Sequence, residues 1–87
     1  MEFFDRLKEY CAIPGPSGLE DLVRERIIRD IKDSGATYEV DALGNLLVFK
    51  QGRNRRDKKL VVAAHMDEVA FMITYIDDDG YLWFDNV

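Results

Sequence analysis

The chain opens with two segments in which apolar residues recur at helical spacing. The first runs from Met1 to Cys11, where apolar side chains lie three and four positions apart. The second runs from about Leu19 to Asp33 and carries a broader apolar stripe, typical of an amphipathic helix. Residues 13–18 separate the two segments, because their two prolines and two glycines cannot continue a helix. The pattern therefore predicts two N-terminal helices joined by a short loop.

The residues that flank the second segment predict where its helix begins and ends. Ser17 is followed three positions later by Glu20, a spacing at which the two side chains can cap the first backbone N–H groups reciprocally. Gly35 follows the apolar stripe and suits the left-handed conformation that often ends a helix. We therefore expect Ser17 and Glu20 to form a capping box and Gly35 to end the helix.

After Gly35 the apolar period shortens from helical to strand-like. Turn signals at Gly44-Asn45 and at residues 77–80 separate pairs of short apolar segments. The run from Leu60 to Ala64 is continuously apolar, as in a strand that is covered on both faces. The predicted strands are Thr37–Asp41, Leu46–Lys50, Leu60–Ala64, Val69–Ile76 and Tyr81–Phe84. The expected fold class is α/β, with two N-terminal helices on a small mixed β-sheet.

Composition narrows the class of protein. A length of 87 residues allows at most one small domain, and 47% hydrophobic with 33% charged residues is typical of a soluble globular chain. The net charge of −5 argues against nucleic acid as the main partner. No apolar run approaches the ~20 residues that a membrane span needs. We therefore expect neither a nucleic-acid nor a membrane partner.

Cys11 is the only cysteine, so an internal disulfide is impossible and a reducing cytoplasm is the expected location. No second cysteine accompanies it, and the only histidine lies far along the chain. We therefore expect Cys11 to be a small buried packing residue rather than a catalytic thiol.

Two charged clusters offer alternative interpretations. The basic segment of residues 51–59 suggests an anion site or a solvated hairpin loop, and we favour the loop because no phosphate-loop or aromatic pattern accompanies the charge. The acidic run from Asp77 to Asp79 lacks the further oxygen ligands of a calcium loop at the usual spacing. We therefore expect it to form the tip of a hairpin.

The candidate chemistry lies directly after the apolar run Leu60–Ala64. His65 is the only histidine, and Asp67 lies two residues further on, so the two side chains can face the same way on an extended backbone. A metal-binding imidazole needs its second nitrogen held by an acceptor, commonly a carboxylate. Considered alone, a single histidine at the end of a strand is more often a hydrogen-bonded structural residue than a metal ligand. Glu68 points to the opposite face, which favours a structural or solvent-exposed role over catalysis.

Three stretches of the sequence together are similar to one known family. The stretch LVVAAHMDEVAFMI at residues 60–73 resembles the metal-binding strand of the M42 metallo-aminopeptidases, which are glutamyl aminopeptidase-like enzymes sometimes labelled endoglucanase or cellulase. PGPSGLE at residues 14–20 resembles the motif that opens a family helix, and DALGNLLV at residues 41–48 resembles the hairpin before the metal strand. Ala70 departs from the family, which usually has glycine at this position. The resemblance covers essentially the whole chain.

The resemblance implies a function and an organisation. Members of the family use two divalent metal ions, zinc or cobalt, to remove N-terminal residues from peptides. His65 matches a metal ligand, and Asp67 matches a catalytic aspartate that supports this histidine. The remaining ligands and the general base lie far downstream in the family. The resemblance further implies an incomplete zinc-exopeptidase-like domain at residues 1–68, followed at residues 69–87 by the start of an inserted β-domain that serves subunit contacts, often in dodecamers.

These expectations describe an N-terminal fragment that is inactive alone and that forms homo-oligomers. One alternative is a non-catalytic module that self-associates or is completed by a partner. Another is the glycosidase that some family labels suggest, although glycoside hydrolysis uses two carboxylates rather than a metal-bound histidine.

Overall fold

The computed structural model of the chain describes residues 2–53 and 58–87. Two helices precede four strands, which confirms the α/β class. The elements are α1 (Phe3–Cys11), α2 (Asp21–Ile31), β1 (Thr37–Val40), β2 (Leu46–Phe49), β3 (Phe71–Ile76) and β4 (Leu82–Asn86).

Helix α2 begins later than the sequence predicts, and the expected capping box is wrong. Glu20 occupies the N-cap position, and no side chain caps the helix. The Glu20 carboxylate instead accepts a hydrogen bond of 2.7 Å from the backbone N–H of Gly18. The hydroxyl of Ser17 is unavailable to the helix because it bonds elsewhere in the chain. Gly35 follows the helix with φ of 80°, the left-handed conformation that was predicted.

A polar cluster ties the two helices together. The hydroxyl of Tyr10 donates a hydrogen bond of 2.5 Å to Asp30. The guanidinium of Arg26 lies 5.4 Å from the centre of the Tyr10 ring and pairs with both Asp30 and Glu9. Charge and hydrogen bonding therefore hold α1 against α2, where few apolar side chains are covered.

The four strands form two separate antiparallel pairs rather than one mixed sheet. β1 pairs with β2 in a register that runs from Thr37–Phe49 to Val40–Leu46. β3 pairs with β4, with an irregularity between Ile73 and Tyr75. The predicted turns join both pairs, so the strand boundaries agree with the sequence to within two residues.

The predicted strand Leu60–Ala64 is not formed in the part of the chain that the structure describes. This segment has no hydrogen-bonded neighbour there, and an open cleft of about 1040 Å³ separates its first residues from the β1–β2 hairpin. An apolar sequence favours a strand, but the backbone needs a partner to complete its hydrogen bonds. The segment therefore lacks the neighbour that would make it a strand.

The chain buries very little of its apolar surface. Among the described residues, Val23 at 7% relative exposure is the one buried hydrophobic side chain. The radius of gyration is 17.8 Å, whereas a compact domain of this length has about 12 Å. Five apolar residues of the predicted strands are all more than half exposed: Val61, Phe71, Ile73, Trp83 and Phe84. Cys11 is exposed too, so its predicted burial is wrong; it ends α1, where little packs against the helix.

Three further predictions concern the basic loop, the acidic run and a membrane span. The basic loop of residues 51–59 falls partly on residues 54–57, which lie outside the described residues. The acidic run forms the predicted hairpin tip, where Asp77 accepts hydrogen bonds from the backbone N–H groups of Asp79 and Tyr81. No helix in the described ranges is long and apolar enough to cross a membrane.

Candidate functional site

His65 and Asp67 form the hydrogen-bonded pair that their spacing predicts. The Nδ1 atom of His65 lies 2.9 Å from the carbonyl oxygen of Asp67 and 3.1 Å from its Oδ1. Both partners are acceptors, so Nδ1 carries a proton, and in the neutral imidazole Nε2 then keeps its lone pair. The His65 side chain is 85% exposed, which leaves Nε2 open to a ligand.

Ser17 contacts the same carboxylate from the opposite side. Its hydroxyl donates a hydrogen bond of 3.0 Å to Oδ2 of Asp67, across 50 positions of sequence. Each oxygen of Asp67 therefore has its own partner, Ser17 on one side and His65 on the other.

Backbone contacts place the Ser17 loop beside the His65 segment. The N–H of Glu68 donates to the carbonyl of Gly15 at 2.9 Å, and the N–H of Gly15 donates to the Glu68 carboxylate at 3.0 Å. Pro16 and Glu68 form an isolated parallel β-bridge. Glu68 thus pins the loop, in line with the structural role expected for it.

Close packing leaves no room for a side chain at Gly15. A Cβ atom added at this buried position would lie 2.6 Å from Cγ2 of Val23. Atoms of side chains do not approach so closely, so a larger residue would push the loop away from α2. The close packing of Gly15 on Val23 therefore keeps the loop near α2, where Gly15 hydrogen-bonds with Glu68.

A turn from β1 to β2 forms another wall of the site. Asp41 accepts hydrogen bonds from the Asn45 side chain and from the backbone N–H groups of Asn45 and Leu43. These bonds, first among them the one from the Asn45 side chain, hold the pKa of Asp41 below its ordinary value. A cleft of about 470 Å³ lies between this turn and His65, with Glu20, Asn45 and Asp67 among its lining residues.

The donor chemistry of the pair suits one position of a metal site. A neutral imidazole whose second nitrogen is bonded to a carboxylate is a common zinc ligand. Within residues 2–53 and 58–87, no three His, Cys, Asp or Glu side chains come together as a metal-binding group. The described residues thus offer His65 as a single ligand with its orienting carboxylate.

The sequence pattern predicts His65 and Asp67 as site residues, but it places Ser17 in a helix cap and gives Gly15 only a loop-forming role. Both were missed because their site contacts span about 50 positions, a distance over which periodicity carries no information. The sequence does carry one signal for Ser17. The short loop rich in proline and glycine places its hydroxyl outside the helix.

A sequence model of the M42 glutamyl aminopeptidase family matches residues 44–87. A protein of Acetivibrio thermocellus, whose name as an aminopeptidase is provisional, is 49% identical over 86 residues, which are 99% of this chain and 25% of that protein. The glutamyl aminopeptidase of Lactococcus lactis subsp. cremoris is 39% identical over 80 residues, which are 92% of this chain and 22% of the relative.

Solved structures give the same picture. The PhTET1-12s dodecamer is similar over 100% of this chain and 26% of its own, with a TM-score of 0.80 and 45% identity. The Pyrococcus horikoshii TET1 peptidase, whose structures form a tetrahedron or a large octahedral shell, matches 99% of this chain at a TM-score of 0.78 and 45% identity. The chain spans about a quarter of the length of these relatives.

Proposed function

Because the chain belongs to the M42 glutamyl aminopeptidase family, we propose that it forms the N-terminal part of a metal-dependent aminopeptidase that removes N-terminal residues from peptides. The observation that carries the proposal is the His65–Asp67 pair, in which the carboxylate accepts from Nδ1 and leaves Nε2 open. His65 is the proposed metal ligand, and Asp67 is its proposed catalytic orienter.

The metal site we propose holds two divalent ions, zinc or cobalt, of which this chain binds one through His65. When bound, such a pair activates water and polarises the scissile carbonyl. The role of this chain is to present one neutral nitrogen in a fixed direction. Asp67 holds the proton on Nδ1, and the Ser17 loop fixes the backbone around Asp67 and Glu68.

We propose that residues 1–68 belong to the catalytic domain and that residues 69–87 begin an inserted β-domain used for subunit contacts. The separation of the β3–β4 pair from the β1–β2 pair supports this division. The oligomeric structural relatives support a homo-oligomer. We place the function in the cytoplasm, where a single free cysteine is stable.

The isolated 87-residue chain should neither hydrolyse peptides nor bind zinc tightly, because a catalytic zinc site needs about three protein ligands. Calorimetry with zinc and an assay with an aminoacyl chromogenic substrate test this. Submicromolar stoichiometric binding that His65→Ala abolishes, or metal-dependent turnover, would show that the chain is a complete site.

The proposed activity itself is tested in a chimera in which residues 1–87 replace the aligned segment of the Pyrococcus horikoshii TET1 peptidase. We expect metal-dependent cleavage of the aminoacyl substrate, no cleavage of a cellulose oligomer, and loss of activity in His65→Ala. Cleavage of the oligomer alone would favour the glycosidase alternative. The relatives described above are named as aminopeptidases and give that alternative no support.

A non-catalytic, self-associating module is the second candidate, and the exposed apolar faces of β3 and β4 favour it. Phe71 and Trp83 are 65% and 60% exposed. A fragment that the rest of a larger protein normally covers would expose the same faces. The chimera separates the two: an inactive chimera that folds and assembles would favour the module.

A further inference from the structure

Ser17 is hydrogen-bonded to the Asp67 carboxylate, through the oxygen that does not face His65. Its hydroxyl donates to Oδ2 of Asp67 at 3.0 Å, while Oδ1 of the same carboxylate faces Nδ1 of His65 at 3.1 Å. The two oxygens belong to one rigid planar group. Holding Oδ2 therefore also fixes the direction in which Oδ1 points.

The position of Ser17 is built into the fold. The two hydrogen bonds between Gly15 and Glu68 fix the backbone on one side of the serine. The carbonyl of Pro16 accepts from the N–H of Leu19 at 2.9 Å, which closes a turn around it. Ser17 is also released from the role that its sequence context favours, because α2 has Glu20 as its N-cap and no side-chain cap.

From this geometry we propose that Ser17 is a positioning residue for the metal-binding histidine and acts through Asp67. It holds the carboxylate where it accepts the Nδ1 proton, so that the Nε2 lone pair of His65 stays available to a divalent cation. The inference rests on the proposed function for its purpose, but the hydrogen-bond relay itself can be measured without a metal.

The relay makes a graded prediction. The backbone carbonyl of Asp67 also accepts from Nδ1, at 2.9 Å, and no side-chain substitution removes it. Removing the carboxylate should therefore weaken, rather than abolish, the preference for the Nδ1–H tautomer. Removing the Ser17 hydroxyl, which frees the Asp67 side chain to change rotamer, should have a smaller effect in the same direction.

The test uses the 87-residue chain, in which every imidazole nitrogen signal comes from the single histidine. Nitrogen-15 labelling of histidine reports the ratio of Nδ1–H to Nε2–H tautomers at about pH 9, well above the range in which imidazole side chains take up a proton. The variants are Ser17→Ala, Ser17→Thr, Asp67→Ala and Ser34→Ala. Ser34 is the other serine, and among the described residues its hydroxyl bonds only locally, to the carbonyl of Ile31 and the N–H of Ala36.

We expect Ser17→Ala to lower the tautomer ratio by about twofold or more, toward the value of Asp67→Ala, whereas Ser17→Thr and Ser34→Ala keep the wild-type ratio. Three-bond couplings should show a single Asp67 χ1 rotamer in the wild type and averaging in Ser17→Ala. Amide spectra confirm that each variant keeps its fold, and Ser17→Thr serves if Ser17→Ala does not fold.

Several results would overturn the inference. They are a wild-type ratio in Ser17→Ala, an equal change in Ser34→Ala, and a failure of threonine to preserve the ratio. If Ser17→Ala keeps the wild-type ratio while Asp67→Ala lowers it, only the positioning role of Ser17 is rejected. The proposed metal-binding role of His65 is then unaffected. Loss of metal binding through His65 in the chimera would instead remove the proposed function without changing these spectra.

Discussion

Two residues from distant parts of the chain, Asp67 and Gly15, act on the surroundings of one imidazole, that of His65. Asp67 acts directly, by accepting the Nδ1 proton of His65. Gly15 acts through space, because its lack of a side chain lets the loop approach Val23 and reach Glu68. At this scale each contact is short, and the one between Gly15 and Glu68 joins residues 53 positions apart in the chain.

Replacing Asp67 tests the first of these contacts. In the chimera, Asp67→Ala should lower metal affinity or the catalytic rate about 10- to 100-fold, because the imidazole loses its orienting acceptor. Asp78→Ala, an exposed carboxylate in the β3–β4 turn, is the matched control and should change neither. Zinc titration and steady-state kinetics measure the effect; wild-type values in Asp67→Ala would contradict the role assigned here.

Replacing Gly15 tests the steric contact. Gly15→Ala places a methyl group 2.6 Å from Val23, so the free energy of unfolding should fall by about 1–3 kcal/mol. Gly52→Ala is the control, because no atom of residues 2–53 and 58–87 lies within 4 Å of its added carbon. Urea unfolding of the chimera measures both. An unchanged midpoint in Gly15→Ala would mean that the loop moves away from α2 at no cost.

At the scale of elements, the helices and hairpins follow the sequence closely. The apolar periods locate both helices and four of the five predicted strands, because each of these elements completes its hydrogen bonds within itself or with the adjacent strand. Leu60–Ala64 fails as a strand because its pairing depends on a neighbour that periodicity does not supply. The capping box fails because Asp67, 50 positions away, takes the Ser17 hydroxyl.

The tie between α1 and α2 gives a prediction with a defined pH range. Burial, followed by the hydrogen bond to Asp30, raises the pKa of Tyr10 from 10.0 to about 12. A raised pKa means that the folded chain holds the Tyr10 proton more tightly than the unfolded chain does. The stability that Tyr10 adds to the folded state is therefore fully present below pH 10 and is lost as the pH rises toward 12. Unfolding by urea at several pH values should show this loss in the wild type.

Tyr10→Phe should lack this part of the alkaline slope, whereas Tyr38→Phe, on exposed β1, should retain it. The same bond holds the pKa of Asp30 below its ordinary value, so its contribution is present above the usual carboxyl range and is lost as the pH falls. If the free energy of unfolding fell equally with pH in Tyr10→Phe and in the wild type between pH 10 and 12, the stabilising contact between Tyr10 and Asp30 would be contradicted.

At the scale of the whole molecule, the dominant feature is apolar surface without cover. The accessible area is 8297 Å², against about 5300 Å² for a compact domain of the same mass. The sequence indicated globular composition, and it does contain enough apolar residues for a core. Those residues stay exposed because their partners do not lie within the described part of the chain.

This surface predicts association. The isolated chain should form dimers or larger oligomers through β3 and β4, since free strand edges and exposed apolar faces recruit further strands. Sedimentation equilibrium across a wide concentration range measures this, and Trp83→Lys should shift the equilibrium toward the monomer. A wild-type chain that stays monomeric at high micromolar concentration would contradict the prediction.

The central claim is that His65 binds a metal ion through Nε2 while Asp67 holds Nδ1. Anomalous diffraction at the zinc edge, on crystals of the chimera, tests it most directly. We predict a zinc peak about 2.0–2.1 Å from Nε2 of His65, with Nδ1 still facing the Asp67 carboxylate. A zinc ion bound elsewhere with no contact to His65, or bound to Nδ1 in place of Nε2, would contradict the account.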